Sequence, residues 1–167
     1  MKRMLLIIIM LSTLTSLRLF SSQVAISLGP LDGLQSQHLI SDGVHAQLGT
    51  VIGIAPRWEA ELFAATNLTP NLGGELIGGA VVSFALMGPV YTEEEVPPYG
   101  NAQFGLGFIG NITTGESWGP VIRMTVLTVG GPRFVMRERG PTLSLFYDIP
   151  GKSVTLLWNI FLLDFYL

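Results

Sequence analysis

Two histidines, His38 and His45, stand near Ser36 and Ser41. A histidine within hydrogen-bond reach of a serine can activate its hydroxyl as a nucleophile. No motif around these four residues fixes such a geometry, so His38 is read as a loop residue, His45 as an interior residue near a rim, and no catalytic residue is assigned. A second group is Glu59, Glu61, Glu75 and Arg123, with Gln47 and Gln103, all set within otherwise apolar segments. They could line a small pore, but charges in apolar surroundings persist by pairing. The reading is therefore a structural polar network in which Arg123 contacts at least one of the three glutamates.

Other chemistry-bearing patterns fail on spacing. Glu93, Glu94 and Glu95 are adjacent, and three neighbouring carboxylates do not converge on one cation without a loop of the EF-hand kind. They are read as solvated loop charge, and no metal is assigned. Gly105 to Gly110 carries the letters of a dinucleotide fingerprint, but it sits inside a strand pattern with no helix to present amides to a phosphate. No cofactor is implied. The chain has no cysteine, which excludes disulfides, thiolate metal sites, a Cys nucleophile and a lipidated cysteine anchor.

The elements that must position the polar group are strands. Apolar residues recur at every second position in segment after segment, the period of a β-strand. Val44, Ala46, Leu48, Thr50, Ile52 and Ile54 share one face while His45, Gln47, Gly49, Val51 and Gly53 share the other. After the turn Ala55-Pro56-Arg57, Trp58 to Asn67 repeats the alternation and should pair antiparallel with its predecessor. Leu76 to Leu86 is apolar on both faces. Phe104, Leu106 and Phe108 alternate with Gln103, Gly105 and Gly107, the clearest case. Val121 to Thr128, Thr142 to Tyr147, Ser153 to Leu167 and Val24 to Leu28 complete eight candidate strands, with Thr128 placed beside Ile122, Met124 and Val126.

The amino terminus reads as an address. Lys2 and Arg3 precede an uninterrupted apolar run from Met4 to Leu11, followed by Ser12, Thr13, Thr15 and Ser16. This is the layout of a cleaved secretory signal over residues 1–22, with residues 23–167 as the mature domain. The apolar run ahead of Arg18 is shorter than the ~20 residues a helical span needs.

Composition points to a surface that faces something other than water. Hydrophobic residues make up 49% of the 167-residue chain and charged residues 13%, with a formal net charge of −3. Lys2, Arg3 and Arg18 fall in or beside the signal, so the remainder is more acidic, which argues against nucleic acid as a partner. A sheet with one hydrocarbon face needs a second layer or lipid to cover it. A soluble sandwich would carry more Lys and Glu outside and fewer glycines. A helical inner-membrane protein is opposed by Gly78, Gly79, Gly88 and Pro89 inside the uncharged stretch from Leu76 to Tyr91. The expected fold is all-β: an antiparallel up-and-down transmembrane β-barrel of about eight strands. Trp58, Tyr99, Trp118, Tyr147 and Trp158 are expected at the membrane interfaces.

With this signal, these alternating segments and its carboxyl end, the chain resembles the small outer-membrane barrels of the OmpA, OmpX and OmpW type. Such barrels end in a strand of alternating apolar residues that the outer-membrane assembly machinery reads, which the resemblance places on Phe161, Leu163, Phe165 and Leu167. The final residue departs from the usual aromatic, and Tyr166 is offset by one. The resemblance implies a bacterial outer-membrane location, the lipid bilayer as partner, both barrel termini in the periplasm, short periplasmic turns and longer external loops. The acidic link from Gly88 to Gly100 would then fall on the short-turn side. Three roles follow as expectations: an anchor for surface loops that contact host, matrix or other cell-surface molecules; a narrow channel for small or apolar solutes; and, third, a lipid-modifying enzyme.

Overall fold

In the computed structural model, residues 24–34, 39–40, 45–68, 75–87, 101–131 and 136–167 are described. Residues 1–22, Ser36, His38, Ser41, Glu93 to Glu95 and Tyr99 lie outside them.

The alternating segments form β1 (Val24–Gly33), β2 (His45–Ala55), β3 (Trp58–Asn67), β4 (Leu76–Ala85), β5 (Gln103–Asn111), β6 (Trp118–Thr125), β7 (Thr128–Gly131), β8 (Met136–Arg139), β9 (Thr142–Asp148), β10 (Ser153–Asn159) and β11 (Leu162–Tyr166). All pairings are antiparallel. The eleven segments make eight staves, because β6 continues into β7, β8 into β9 and β10 into β11 across short interruptions. β1 pairs with β2 on one side and with β10 and β11 on the other, which closes the sheet into a barrel. Closure leaves no free sheet edge along the staves.

The two ends of the barrel differ. At the basal end β1 begins and β11 finishes, tied by Leu167 N donating to Val24 O at 3.0 Å. The β2–β3 turn at Pro56 and Arg57 also lies there, and at that end β4 and β7 finish and β5 and β8 begin. The connections after β1, β3, β5 and β9 gather at the apical end. The long link thus leaves from the same end as both barrel termini.

Strand period decides which side chains face in. On β6, Gly119, Val121, Arg123 and Thr125 are buried, whereas Trp118, Pro120, Ile122 and Met124 are exposed. Leu48, Leu62, Leu106, Ile122 and Leu145, on five different staves, each keep nearly half of their surface open on the outer wall. Among the described residues the exposed charges are few: Arg57, Glu116 and Lys152 sit in turns or a connection, and Glu138 faces outward from within β8, near the basal end. This polarity is the reverse of a soluble barrel, which hides its hydrocarbon and shows its charge.

Interruptions at Val126-Leu127, Gly140-Pro141 and Ile160-Phe161 each insert one extra residue, as β-bulges do. Buried positions step by three across each: Thr125 to Thr128, Arg139 to Thr142, Asn159 to Leu162. Thr128 therefore lies in the lumen and not on the outer face with Ile122 and Met124, as uninterrupted alternation would have it. At the bulge that meets β1, the register of the closing seam moves by one residue between Asp32 opposite Trp158 and Leu28 opposite Leu163. Gly29 sits there, and a Cβ on it would collide with the carbonyl oxygen of Phe161. Gly29→Ala is expected to destabilise the barrel by about 1–3 kcal/mol through overpacking. Equilibrium urea unfolding followed by tryptophan fluorescence checks this, and an unchanged midpoint would contradict the close seam.

Candidate functional site

Among the described residues polar chemistry collects in the lumen, which is divided in two. Its apical half is filled with hydrocarbon: Leu31, Phe63, Ile77, Ile109, Val121, Phe146 and Leu157 form one buried cluster with Leu39 and Ile40. The last two lie between β1 and β2 in sequence and are buried with the rest, at 0% and 1% exposure.

The basal half holds charge. β3 contributes Glu59 and Glu61, β6 Arg123, β8 Arg137 and Arg139, and β11 Asp164, all buried. Arg123 Nη1 donates to Glu61 Oε2 at 2.9 Å and its Nε to Ser144 Oγ at 3.2 Å. Arg137 spans Asp164 and Glu59, each at 2.8 Å. Arg139 donates to Glu61 at 2.8 Å, to Asp164 at 2.9 Å and to Ser27 Oγ at 3.0 Å. Three guanidinium groups thus meet three carboxylates, and the charges balance. Guanidinium forks suit this task because each has several donors in fixed directions.

Amides and an aromatic ring join the halves. Gln47 Nε2 donates to Glu61 Oε1 at 3.0 Å, and Gln47 Oε1 accepts from Asn159 Nδ2 at 3.1 Å. Asn159 Nδ2 also donates to Pro30 O at 2.7 Å, serving the closing seam at a residue that has no N–H of its own. Phe63 presents its ring to the Arg123 guanidinium, 5.0 Å from the centroid, so the boundary between charge and hydrocarbon is itself a favourable contact.

Of the residues expected in a luminal network, Glu61, Arg123 and Gln47 are in direct contact, and Glu59 joins them through Arg137 and Arg139. Glu75 lies apart, at the apical rim, where its carboxylate meets His45 Nε2 at 3.1 Å and accepts from Asn111 Nδ2 at 3.0 Å. Gln103 is buried on the basal inner face with its amide unpartnered among the described residues. Arg137, Arg139 and Asp164 were not anticipated. Their signal was available in the Arg-Glu-Arg alternation at 137–139 and in the single acid between Leu163 and Phe165.

On the outer wall, Trp58 lies at the basal end, its ring tilted by 54° against Phe84 with centroids 4.9 Å apart. Trp118 and Tyr147 lie at the apical end, with Trp118 against Phe108 at 5.8 Å. Trp158 is half-buried, opposite Asp32 on the seam. Phe161, Phe165 and Leu167 are exposed and Leu163 half-buried. Among the described residues no three His, Cys, Asp or Glu side chains converge on a metal position. The class defined by this geometry is a closed eight-stave antiparallel barrel with a largely apolar wall and a filled lumen whose basal charges balance. No family model, curated protein or solved structure matches the chain.

Removing one member of a buried ion network leaves its partners uncompensated, whereas removing a whole pair often costs little. Asp164→Asn is expected to destabilise the barrel by about 3–5 kcal/mol. Replacing Glu61 and Arg123 together with leucine and methionine should cost less than Glu61→Leu alone. Urea unfolding of the three variants beside the unchanged protein checks both. Equal losses for the single and double replacements would show that the pairing itself carries no weight.

Proposed function

We propose that this chain is an exported, non-conducting β-barrel of a bacterial outer membrane that anchors its apical connections at the cell surface for contact with host, matrix or other cell-surface molecules. The observation that carries the reading is the inverted polarity: a closed barrel with a largely apolar wall, broken by Glu138 near the basal end, and with most of its strand charges turned to the inside. Lipid is the solvent that stabilises such a wall, and closed barrels are the strand architecture that satisfies every main-chain hydrogen bond within hydrocarbon. The likeness in pattern to OmpA-, OmpX- and OmpW-type barrels supports the same reading, with Phe161, Leu163, Phe165 and Leu167 as the face offered to the assembly machinery. Under it the basal end faces the periplasm, and the link between Met87 and Asn101 is a periplasmic feature.

The filled lumen favours an anchor over a channel. An eight-stave barrel has an interior just wide enough for side chains, and here both halves are occupied. Refolding into vesicles whose lipids are brominated on their acyl chains should strongly quench the exposed Trp58 and Trp118, and planar-bilayer recordings should show no unitary conductance. A strand-rich refolded protein without quenching would sink the membrane reading. Steady single-channel current would instead favour the narrow channel.

A further inference from the structure

Every luminal acid described so far has a cationic or imidazole partner except one. Asp148 closes the apical end of β9 and is 0% exposed. Its Oδ1 accepts from Trp118 N at 3.3 Å. Among the described residues its Oδ2 is buried with no hydrogen-bond partner and no ion pair engages the carboxylate. An ionised carboxylate taken from water without a counter-charge is strongly disfavoured.

The neighbours on the same face supply further oxygen and little else. Ile149 N donates to Trp118 O at 3.0 Å, which continues the β6–β9 register of Val121 opposite Phe146 and sets Gly119 across from Asp148. Gly119 brings no side chain, and the diagonal neighbour on the inner face is Ser117. Ser117 is 0% exposed, and its Oγ is likewise buried and unpartnered. On the other side Ser153 of β10 is directly opposite Asp148. The β9–β10 turn folds over this point: a Cβ on Gly151 would lie 2.5 Å from Asp148 Oδ2 and 3.5 Å from Ser153 Oγ. A glycine therefore leaves room beside the carboxylate, and the exposed Ser153 gives access to water.

We propose that Asp148 Oδ2, Ser117 Oγ and Ser153 Oγ form an apical cation site for a small hard cation of the calcium type. One carboxylate, neutral oxygens and water suit that chemistry, and a single charged ligand places the affinity in the range of about 10⁻⁴–10⁻³ M found for weak extracellular sites. The site does not depend on the membrane reading, because its ligands lie on the inner face. Occupied, it would join three neighbouring staves, β6, β9 and β10, beneath two of the apical connections.

Terbium(III) is the probe, because Trp118 adjoins the carboxylate and can sensitise its luminescence. The full mature chain refolded in detergent should show terbium emission on tryptophan excitation, displaced by millimolar calcium. Asp148→Asn should abolish the displaceable emission, Trp118→Phe should reduce it severalfold while calcium still protects against unfolding, and Ser117→Ala should weaken calcium several-fold. Circular dichroism and heat-modifiable migration establish folding of each variant. Should Asp148→Asn not fold, the Ser117→Ala and Trp118→Phe results decide. The absence of calcium-displaceable emission, its persistence in folded Asp148→Asn, or unchanged calcium affinity in Ser117→Ala would overturn the site.

Discussion

Three arginines cannot be placed inside a narrow barrel without three acids, and the requirement that each buried charge meet its counter-charge governs the rest of the architecture. The acids come from β3 and β11 and the bases from β6 and β8, so the network ties staves far apart in sequence. Its members face inward because of the bulges. Alternation continued from Thr142 and Ser144 would point Arg139 and Arg137 outward and Glu138 inward, and alternation continued from Asn159 would put Asp164 on the wall. One extra residue at Gly140-Pro141 and one at Ile160-Phe161 reverse both. The matching insertion at Val126-Leu127 keeps the neighbouring stave in phase, with Val126 N donating to Pro141 O at 2.9 Å and Gly140 N to Leu127 O at 2.8 Å. A lone bulge would leave adjacent staves out of register, so the three belong together.

The halves of the lumen contribute in different ways. The apical hydrocarbon gains free energy by leaving water whatever its partners, so it stabilises collapse without dictating register. The basal network adds little net stability over an apolar filling, but a slip of one residue would leave a guanidinium or carboxylate unpaired. Specificity therefore resides at the basal end, where the closing seam also depends on side chains. Ser27 of β1 receives a hydrogen bond from Arg139, and Pro30 receives one from Asn159. The seam is held from within where its main-chain ladder is interrupted.

Much of this was legible in the sequence. Period-two alternation located all eight staves, and the inward set Gln47, Glu59, Glu61, Gln103 and Arg123 followed from parity alone, because β2, β3, β5 and the first part of β6 keep unbroken alternation along those residues. Parity failed where a bulge intervened, since one inserted residue exchanges the faces of everything beyond it. Thr128 was misplaced for that reason. Arg137 and Arg139 were passed over because the segment around Gly130, Gly131 and Pro132 reads as a turn and hides a short strand behind it. The partition of acids was beyond pattern: nothing in spacing separates Glu75, which turns to His45 and Asn111 at the rim, from Glu61, which takes two arginines. That difference depends on which stave stands across the lumen, a property of closure and not of any one segment.

A barrel filled in this way has only its wall and its two rims left for contact with other molecules. The wall offers hydrocarbon and small side chains, suited to acyl chains and to little that needs directional bonding. Polar recognition must then fall to the rims. At the apical one, Asn111 Oδ1 accepts from Thr113 N at 3.0 Å and Thr114 N at 3.1 Å, while Thr113 Oγ1 accepts from Leu76 N at 2.8 Å. The β5–β6 connection is thereby fastened to β4, and Asp148 sits beneath its other end through Trp118. On the proposed anchor reading, the filled lumen holds such connections in a fixed relation to one another at the rim, where charges and hydroxyls stand in reach of solvent.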